Sequence, residues 1–172
     1  LCVLVDPSYR DSFGDARYEM DLAADRINEM LDGIDQVQTA LHLCRRNWGR
    51  RGWGAEGGYE PIIETMKKIE VDQYVMEFSI PVAGDVAILQ ELPEDKLIGL
   101  GAVECRFEKI DTRDEIVARV EAAMRHVDAS RLSINPDCGF SPGIDSVMSL
   151  EEPYQKLRNE ADASTLLRER YG

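Results

Sequence analysis

Four side chains in this sequence could do together what none does alone. His42 and Cys44 stand two residues apart in Leu41-His42-Leu43-Cys44, Glu77 is an isolated carboxylate between Met76 and Phe78, and Cys138 lies in Asn135-Pro136-Asp137-Cys138-Gly139. One imidazole, two thiols and a carboxylate form a zinc-type ligand set, in which soft sulfur favours zinc over magnesium or calcium. Each residue also has an ordinary reading. A lone Cys packs as a small hydrophobe, a His on a strand is a satisfied core or loop residue, and a strand-end Glu pairs with Arg. Position weighs against three such coincidences, because all of these residues fall at the ends of apolar segments.

For them to meet, the chain must deliver them to one place. Leu1 to Val5 is an apolar run closed by Asp6-Pro7 and reads as a buried strand. Met20, Ala23, Ala24, Ile27, Met30 and Leu31 recur at helical spacing over about Asp15 to Leu31, with Asp32-Gly33 as the stop. Val37 to Leu43 alternates as a strand does, Arg45 to Gly58 is a polar, Gly-rich loop, and a helix starts near Glu60-Pro61. Gln73 to Phe78 is the third strand, Asp85 to Leu92 a short helix, and Leu97 to Val103 the fourth strand. Thr112 caps the next helix, with Glu115 completing a capping box, before a fifth strand at Arg131 to Asn135 and a last helix at Leu150 to Tyr171.

Strict β-α alternation implies a parallel sheet with right-handed crossovers. No Gly-x-Gly-x-x-Gly and no phosphate-binding Gly-Lys-Ser/Thr loop follows any strand, which removes the commonest reasons for an open nucleotide-binding sheet. A closed eight-unit barrel takes about 250 residues, more than the 172 here. The expected fold is α/β: a single domain over residues 1–172, forming the C-terminal part of a TIM (β/α)8 barrel. About five β-α units are present on this reading, with the first strands expected upstream of Leu1. In a parallel barrel all strand C-termini share the face on which active sites are built. His42 and Cys44 leave the same side of one strand, Glu77 ends the next, and Cys138 follows the fifth, so the four can converge.

Composition bounds the partners. There are 33 acidic against 20 basic residues, a net charge of −13, so neither nucleic acid nor an anionic membrane is expected to bind. No apolar run approaches the roughly 20 residues of a membrane-spanning helix and no signal-peptide pattern opens the chain, which leads to a cytoplasmic expectation. Four widely spaced cysteines in a chain able to bury a core read as reduced thiols or metal ligands. Within this acidic chain, Arg45, Arg46, Arg50 and Arg51 with Trp48 and Trp53 form a basic island. Arg45, Arg46 and Trp48 are candidates to hold an anionic co-substrate by guanidinium contact and ring stacking, although these arginines can equally pair with nearby acids. Cys105 reads as a packing residue, His126 as a surface residue, and Asp137 as a group that orients a ligand.

His42-Leu43-Cys44, the isolated Glu77 and Asn135-Pro136-Asp137-Cys138-Gly139-Phe140 resemble the zinc motifs in the C-terminal barrel of the cobalamin-independent methionine synthase family. The resemblance runs from about Val37 to Leu167. His42-Leu43-Cys44-Arg45-Arg46-Asn47 and Gly57-Gly58-Tyr59-Glu60-Pro61 look like its short bacterial methionine synthase II branch. It implies that His42, Cys44, Glu77 and Cys138 hold zinc in an S-methyltransferase of the 5-methyltetrahydropteroyltriglutamate–homocysteine type. The partners implied are homocysteine, converted to methionine, and a methyl donor. Zinc would lower the pKa of the acceptor thiol, and the thiolate would attack the methyl group. The long enzymes carry an Ile-Asp-Glu-Pro motif whose acid holds the amino group of homocysteine. The nearest match here is Val5-Asp6-Pro7, which lacks the Glu and makes Asp6 the candidate substrate-binding residue. The arginine island would suit a folyl polyglutamate tail or a sulfonate, so a zinc thiol alkyltransferase of the epoxyalkane–coenzyme M type is a second reading. A non-catalytic metal-binding remnant of a barrel is the third.

Overall fold

The computed structural model describes residues 1–47, 50–140 and 148–172. Leu97–Val103 (Leu-Ile-Gly-Leu-Gly-Ala-Val) has no polar side chain and is buried from Ile98 onward, as befits a strand covered on both faces. It is β3 of a four-stranded, wholly parallel sheet whose other members are β1 (Ala40–Leu43), β2 (Gln73–Glu77) and β4 (Leu132–Pro136). The strands lie in chain order, β1-β2-β3-β4, so each crossover returns beside the strand it left.

Side chains alternate between the faces of a strand, and the register sorts them into rows. Leu41, Tyr74, Ile98 and Leu132 form one row, and Leu43, Met76, Leu100 and Ile134 the next row on the same face. These residues belong to the core, together with Ile116, Val117 and Val120 of α4 (Arg113–Ala123) and Ala163 and Leu167 of α5 (Glu151–Tyr171). The opposite face carries His42, Val75, Gly99 and Ser133 in one row and Glu77, Gly101 and Asn135 beyond it, at the C-terminal ends of the strands.

The remaining helices are α1 (Pro7–Ser12), α2 (Ala16–Leu31) and α3 (Ile63–Met66). Asp6 and Asp15 cap the first two by accepting from Ser8 N and Tyr18 N. α3 continues a 3-10 turn at Glu60–Ile62 that has Pro61 in its first turn, and Asp85 caps a 3-10 helix at Val86–Glu91. Among the described residues no helix is long and apolar enough to cross a membrane.

The expected α/β architecture with a parallel sheet is observed, but among the described residues the count of five β-α units is corrected to four. Leu1 to Val5 is not a strand. Cys2–Val5 forms a 3-10 helix, with Leu4 N donating to Leu1 O and Asp6 N to Val3 O, and it buries Cys2, Leu4 and Val5 in the core. A short apolar run records burial without period, and helical and extended backbones satisfy it equally. The first observed strand is also shorter than the alternation from Val37 suggests, because Val37 and Gln38 lie outside the ladder.

The capping box before α4 is formed in full. Thr112 Oγ1 accepts from Glu115 N at 3.3 Å, and Glu115 Oε2 accepts from Thr112 N at 2.8 Å. Glu115 also meets Lys109 Nζ at 2.8 Å, and that bond, ahead of those from Thr112, lowers its pKa to about 2. A carboxyl whose pKa falls on folding contributes stability above its unfolded value and loses it as pH drops through the folded one. Glu115→Gln should therefore be less stable than the parent at neutral pH, with the gap closing between about pH 4.5 and about pH 2 in chemical denaturation. Thr112→Ala should cost about 1 kcal/mol at neutral pH.

Candidate metal centre

Three strand ends supply the donors. His42 lies on β1 opposite Val75 of β2, Cys44 immediately follows β1, Glu77 ends β2, and Cys138 lies two residues beyond β4. One ligand atom from each of His42, Cys44, Glu77 and Cys138 lies within 4.8 Å of all the others. Cys44 Sγ and Cys138 Sγ are 3.3 Å apart although they come from the two outermost strands. Tetrahedral bonds of about 2.0–2.3 Å place neighbouring ligand atoms roughly 3.3–3.8 Å apart, so this donor set fits a four-coordinate soft metal with small adjustments. His42 Nδ1 faces Val75 O at 3.2 Å. A carbonyl only accepts, so Nδ1 carries the hydrogen there and Nε2 is left as the ligating nitrogen.

Beneath the thiols the polar groups are fully buried. Glu77 Oε1 takes a hydrogen bond from Arg106 Nη2 at 2.5 Å, while Oε2 takes one from Arg45 N at 3.0 Å and faces Arg45 Nη1 at 3.4 Å. Arg45 in turn donates to Gly57 O and to Tyr59 Oη, lies 4.3 Å above the Tyr59 ring, and Tyr59 Oη accepts from Glu77 N at 2.8 Å. Asp137 ties the β2 end to the β4 end: Oδ1 accepts from Phe78 N and Ser79 N at 3.1 and 3.2 Å, and Oδ2 accepts from Ser79 Oγ at 2.6 Å.

The titrations follow from burial and contact. Desolvation pushes Asp137 up to about 7, reinforced by the Glu77 charge and opposed by Ser79 and Arg106. A hydrogen bond with Cys138, then burial, raises the Cys44 thiol, and a bond with Cys105 raises Cys138. The Cys44 thiol raises the pKa of His42 against the effect of burial. Cys44 and Cys138 lie within hydrogen-bonding distance of one another, and a cation bound there would displace their protons.

Residues 10–164 match the family described as cobalamin-independent synthase, catalytic domain. The chain belongs to this family. A methionine synthase of Pyrococcus abyssi is 30% identical over 87% of the chain and 39% of its own length. A 5-methyltetrahydropteroyltriglutamate–homocysteine methyltransferase of Bacillus licheniformis is 25% identical over 76% of the chain and 15% of its own length. The structure of a B12-independent methionine synthase from Shewanella superposes with a TM-score of 0.68 at 22% identity, covering 88% of this chain and 46% of that one. The chain thus spans about two fifths of the first curated relatives it matches, 40% and 39% of their lengths. The likeness in structure carries the fold, an arc of parallel β-α units of the TIM-barrel kind.

In this member of the cobalamin-independent synthase family the described arginines of the basic island divide between the two readings, some paired with acids and some exposed. Arg45 points inward, fully buried against Glu77, because a carboxylate removed from water must find a cation. That corrects its assignment to an anionic co-substrate. Arg50 pairs with Glu152 of α5 at 2.9 Å, and Trp53 donates to Glu56 and packs edge-on against Phe107. Arg46 keeps an exposed side chain, its backbone at φ 66 turning its N–H onto Cys44 Sγ at 3.1 Å. Trp48 lies outside the described residues. Asp6 is a helix cap whose Oδ1 accepts from Ser8 and whose Oδ2 accepts from Glu56 N at 2.9 Å; it is not in the donor group, and capping is what its contacts serve. His126 is half-buried in the turn after α4 and stands apart from that group. Cys105 packs beside Cys138, as a packing residue near the strand ends should. Sequence reasoning misses Arg106 and Tyr59. Arg106 does carry a signal, a cation soon after an apolar strand and so beside the other strand ends.

Gly101 of β3 makes the close approach possible. A Cβ there would lie 2.5 Å from Met76 O and 2.9 Å from Glu77 Cα, and would run into Asp137 Oδ1. Gly101→Ala is expected to lower stability by about 1–3 kcal/mol, the range for overpacked sites. Gly139→Ala, with no atom of the described residues within 4 Å of the added methyl, should leave stability unchanged when the two variants are melted side by side.

Proposed function

We propose that this chain carries the thiol-activating centre of a zinc-dependent methyltransferase that converts homocysteine to methionine. The observation that supports it is the convergence of His42, Cys44, Glu77 and Cys138 in a chain of the cobalamin-independent synthase family. Zinc held by these four residues would bring an acceptor thiol to its thiolate form at neutral pH. Two cysteine thiolates and a carboxylate contribute three negative charges at that point, an environment that keeps an added sulfur electron-rich and nucleophilic. A hydrolytic centre, by contrast, favours neutral imidazoles. The new sulfur–methyl bond forms as the donor–methyl bond breaks.

The chain's own residues do the positioning. Val75 O orients the imidazole, the Arg46 N–H sits on Cys44 Sγ, and Asp137 fixes the segment that carries Cys138. Relatives named as methyltetrahydropteroyltriglutamate–homocysteine methyltransferases point to a folate-type methyl donor, and a cytoplasmic setting suits that substrate pair. The coenzyme M alternative needs a basic island free to hold a sulfonate. Arg45 is committed to Glu77 and Arg50 to Glu152, which leaves only the exposed Arg46 and Arg51 of the island for a sulfonate and favours homocysteine as the acceptor.

The test is metal content and thiol response in the full-length protein. One equivalent of zinc is expected, with its affinity lowered by Cys138→Ser at least as much as the roughly 10- to 100-fold lost when a partner that only orients a ligand is removed. In the cobalt-substituted protein, homocysteine should intensify the thiolate-to-metal charge-transfer band and coenzyme M should not. A protein that turns over homocysteine equally well after exhaustive metal removal would sink the reading.

A further inference from the structure

Among the described residues β3 is the strand that gives no ligand to the donor group, and shortly after it comes Arg106. The Arg106 guanidinium is fully buried and has a partner on each of the three segments that do supply ligands. Nε donates to Arg46 O at 2.9 Å, in the segment leaving Cys44. Nη2 donates to Glu77 Oε1 at 2.5 Å, and Nη1 faces Asp137 Oδ2 at 3.4 Å, one residue before Cys138. Its own backbone is pinned as well, Arg106 N donating to Glu104 Oε1 at 2.7 Å.

We propose that Arg106 is a positioning residue, a clasp that holds the three donor-bearing strand ends at the spacing a four-coordinate metal requires. The proposal rests on the zinc reading above. Charge compensation alone does not account for the arrangement, because Arg45 already offers Glu77 a guanidinium. Planarity accounts for it. A guanidinium directs N–H groups outward along separate edges of a rigid fork, so it can meet a carbonyl and two carboxylates at once, whereas an ammonium is a point charge on a flexible stem. The clasp meets Glu77 directly, at Oε1, and the two thiols through their neighbours, by the backbone two residues from Cys44 and by the residue before Cys138. None of these contacts consumes a thiol or the imidazole.

The test is Arg106→Lys in the full chain, which keeps the charge and removes the fork. Zinc affinity, measured by chelator competition, should fall about 10- to 100-fold, the usual effect of removing a partner that orients a ligand. The cobalt–thiolate charge-transfer band should shift and weaken in parallel. Arg131→Lys is the control for general loosening, since Arg131 forks onto Lys96 O and Pro93 O at the opposite end of the same sheet and should leave affinity unaltered. Affinity in Arg106→Lys within a few-fold of the parent, or an equal loss in Arg131→Lys, would overturn the clasp. Should Arg106→Lys not fold, Arg106→Gln is read against the same threshold. If the parent binds no zinc that depends on His42, the metal reading itself has failed; if it does and Arg106→Lys matches it, only the clasp has.

Discussion

A carboxylate shut away from water, Glu77, lies between two guanidinium groups, and the rest of the site is arranged around that compensation. Burying any one of these charges alone would cost several kcal/mol, and losing one partner of a buried pair typically costs about 3–5 kcal/mol. The three must therefore be assembled together. Arg45 is the first residue after Cys44 and Arg106 is an early residue after β3, so pairing both with Glu77 at the end of β2 aligns three adjacent strand ends. The same contacts that satisfy buried charge set the height at which Cys44 and Glu77 stand. Tyr59 extends the arrangement downward, accepting from Glu77 N and Arg45 Nη1 in a position closed to solvent.

Asp137 plays the corresponding part for the fourth strand. Its carboxyl group gathers two backbone N–H groups and a hydroxyl from the Phe78–Ser79 turn, so the loop after β2 and the loop after β4 become one unit. Burial nonetheless raises its pKa to about 7, which sets it apart from the carboxylates at helix caps such as Asp6 and Asp128, whose pKa values are lowered by Ser8 and Ser130. The difference is physical: the caps are solvated and Asp137 is not. The chain thus carries two kinds of polar anchor, exposed ones that start helices and buried ones that join strand ends.

How much of this is legible in the sequence depends on whether the governing interaction is local. β3 is legible to its ends because seven consecutive apolar residues bounded by polar ones leave little choice, and the α4 capping box is legible because Thr112 and Glu115 satisfy each other across three residues. The donor group is legible through strand-end position, since parallel topology sends every C-terminus to one side. Leu1 to Val5 is not, because an apolar run of that length fits a 3-10 turn packed on the core as well as a strand. Arg45 misleads for a longer-range reason. Its neighbours in sequence are basic and polar, but its partner Glu77 is 32 residues away and becomes adjacent only once β1 and β2 pair.

The meeting of Cys44 and Cys138 is the least local feature of all. Four strands in the order β1-β2-β3-β4 put three inter-strand spacings of about 4.8 Å, roughly 14 Å in total, between the two that lead to these thiols if the sheet were flat. The sulfur atoms are 3.3 Å apart. Side-chain reach covers only part of that gap, so the strand ends must curl towards one another and the post-strand segments must lean inward. Two features of β3 and β4 allow it. The ladder between them slips between Gly101 and Val103, the kind of irregularity that bends a strand and re-aims the residues beyond it, and Asp137 N then bonds to Val103 O. Gly101 and Gly99 present no side chains to the inner face, so Asp137 and Asn135 lie across β3 where a larger residue would hold them off. The centre of the sheet supplies space and a guanidinium, and its margins supply the thiols. Closing the margins over an emptied centre is what turns three separate strand ends into one set of donors.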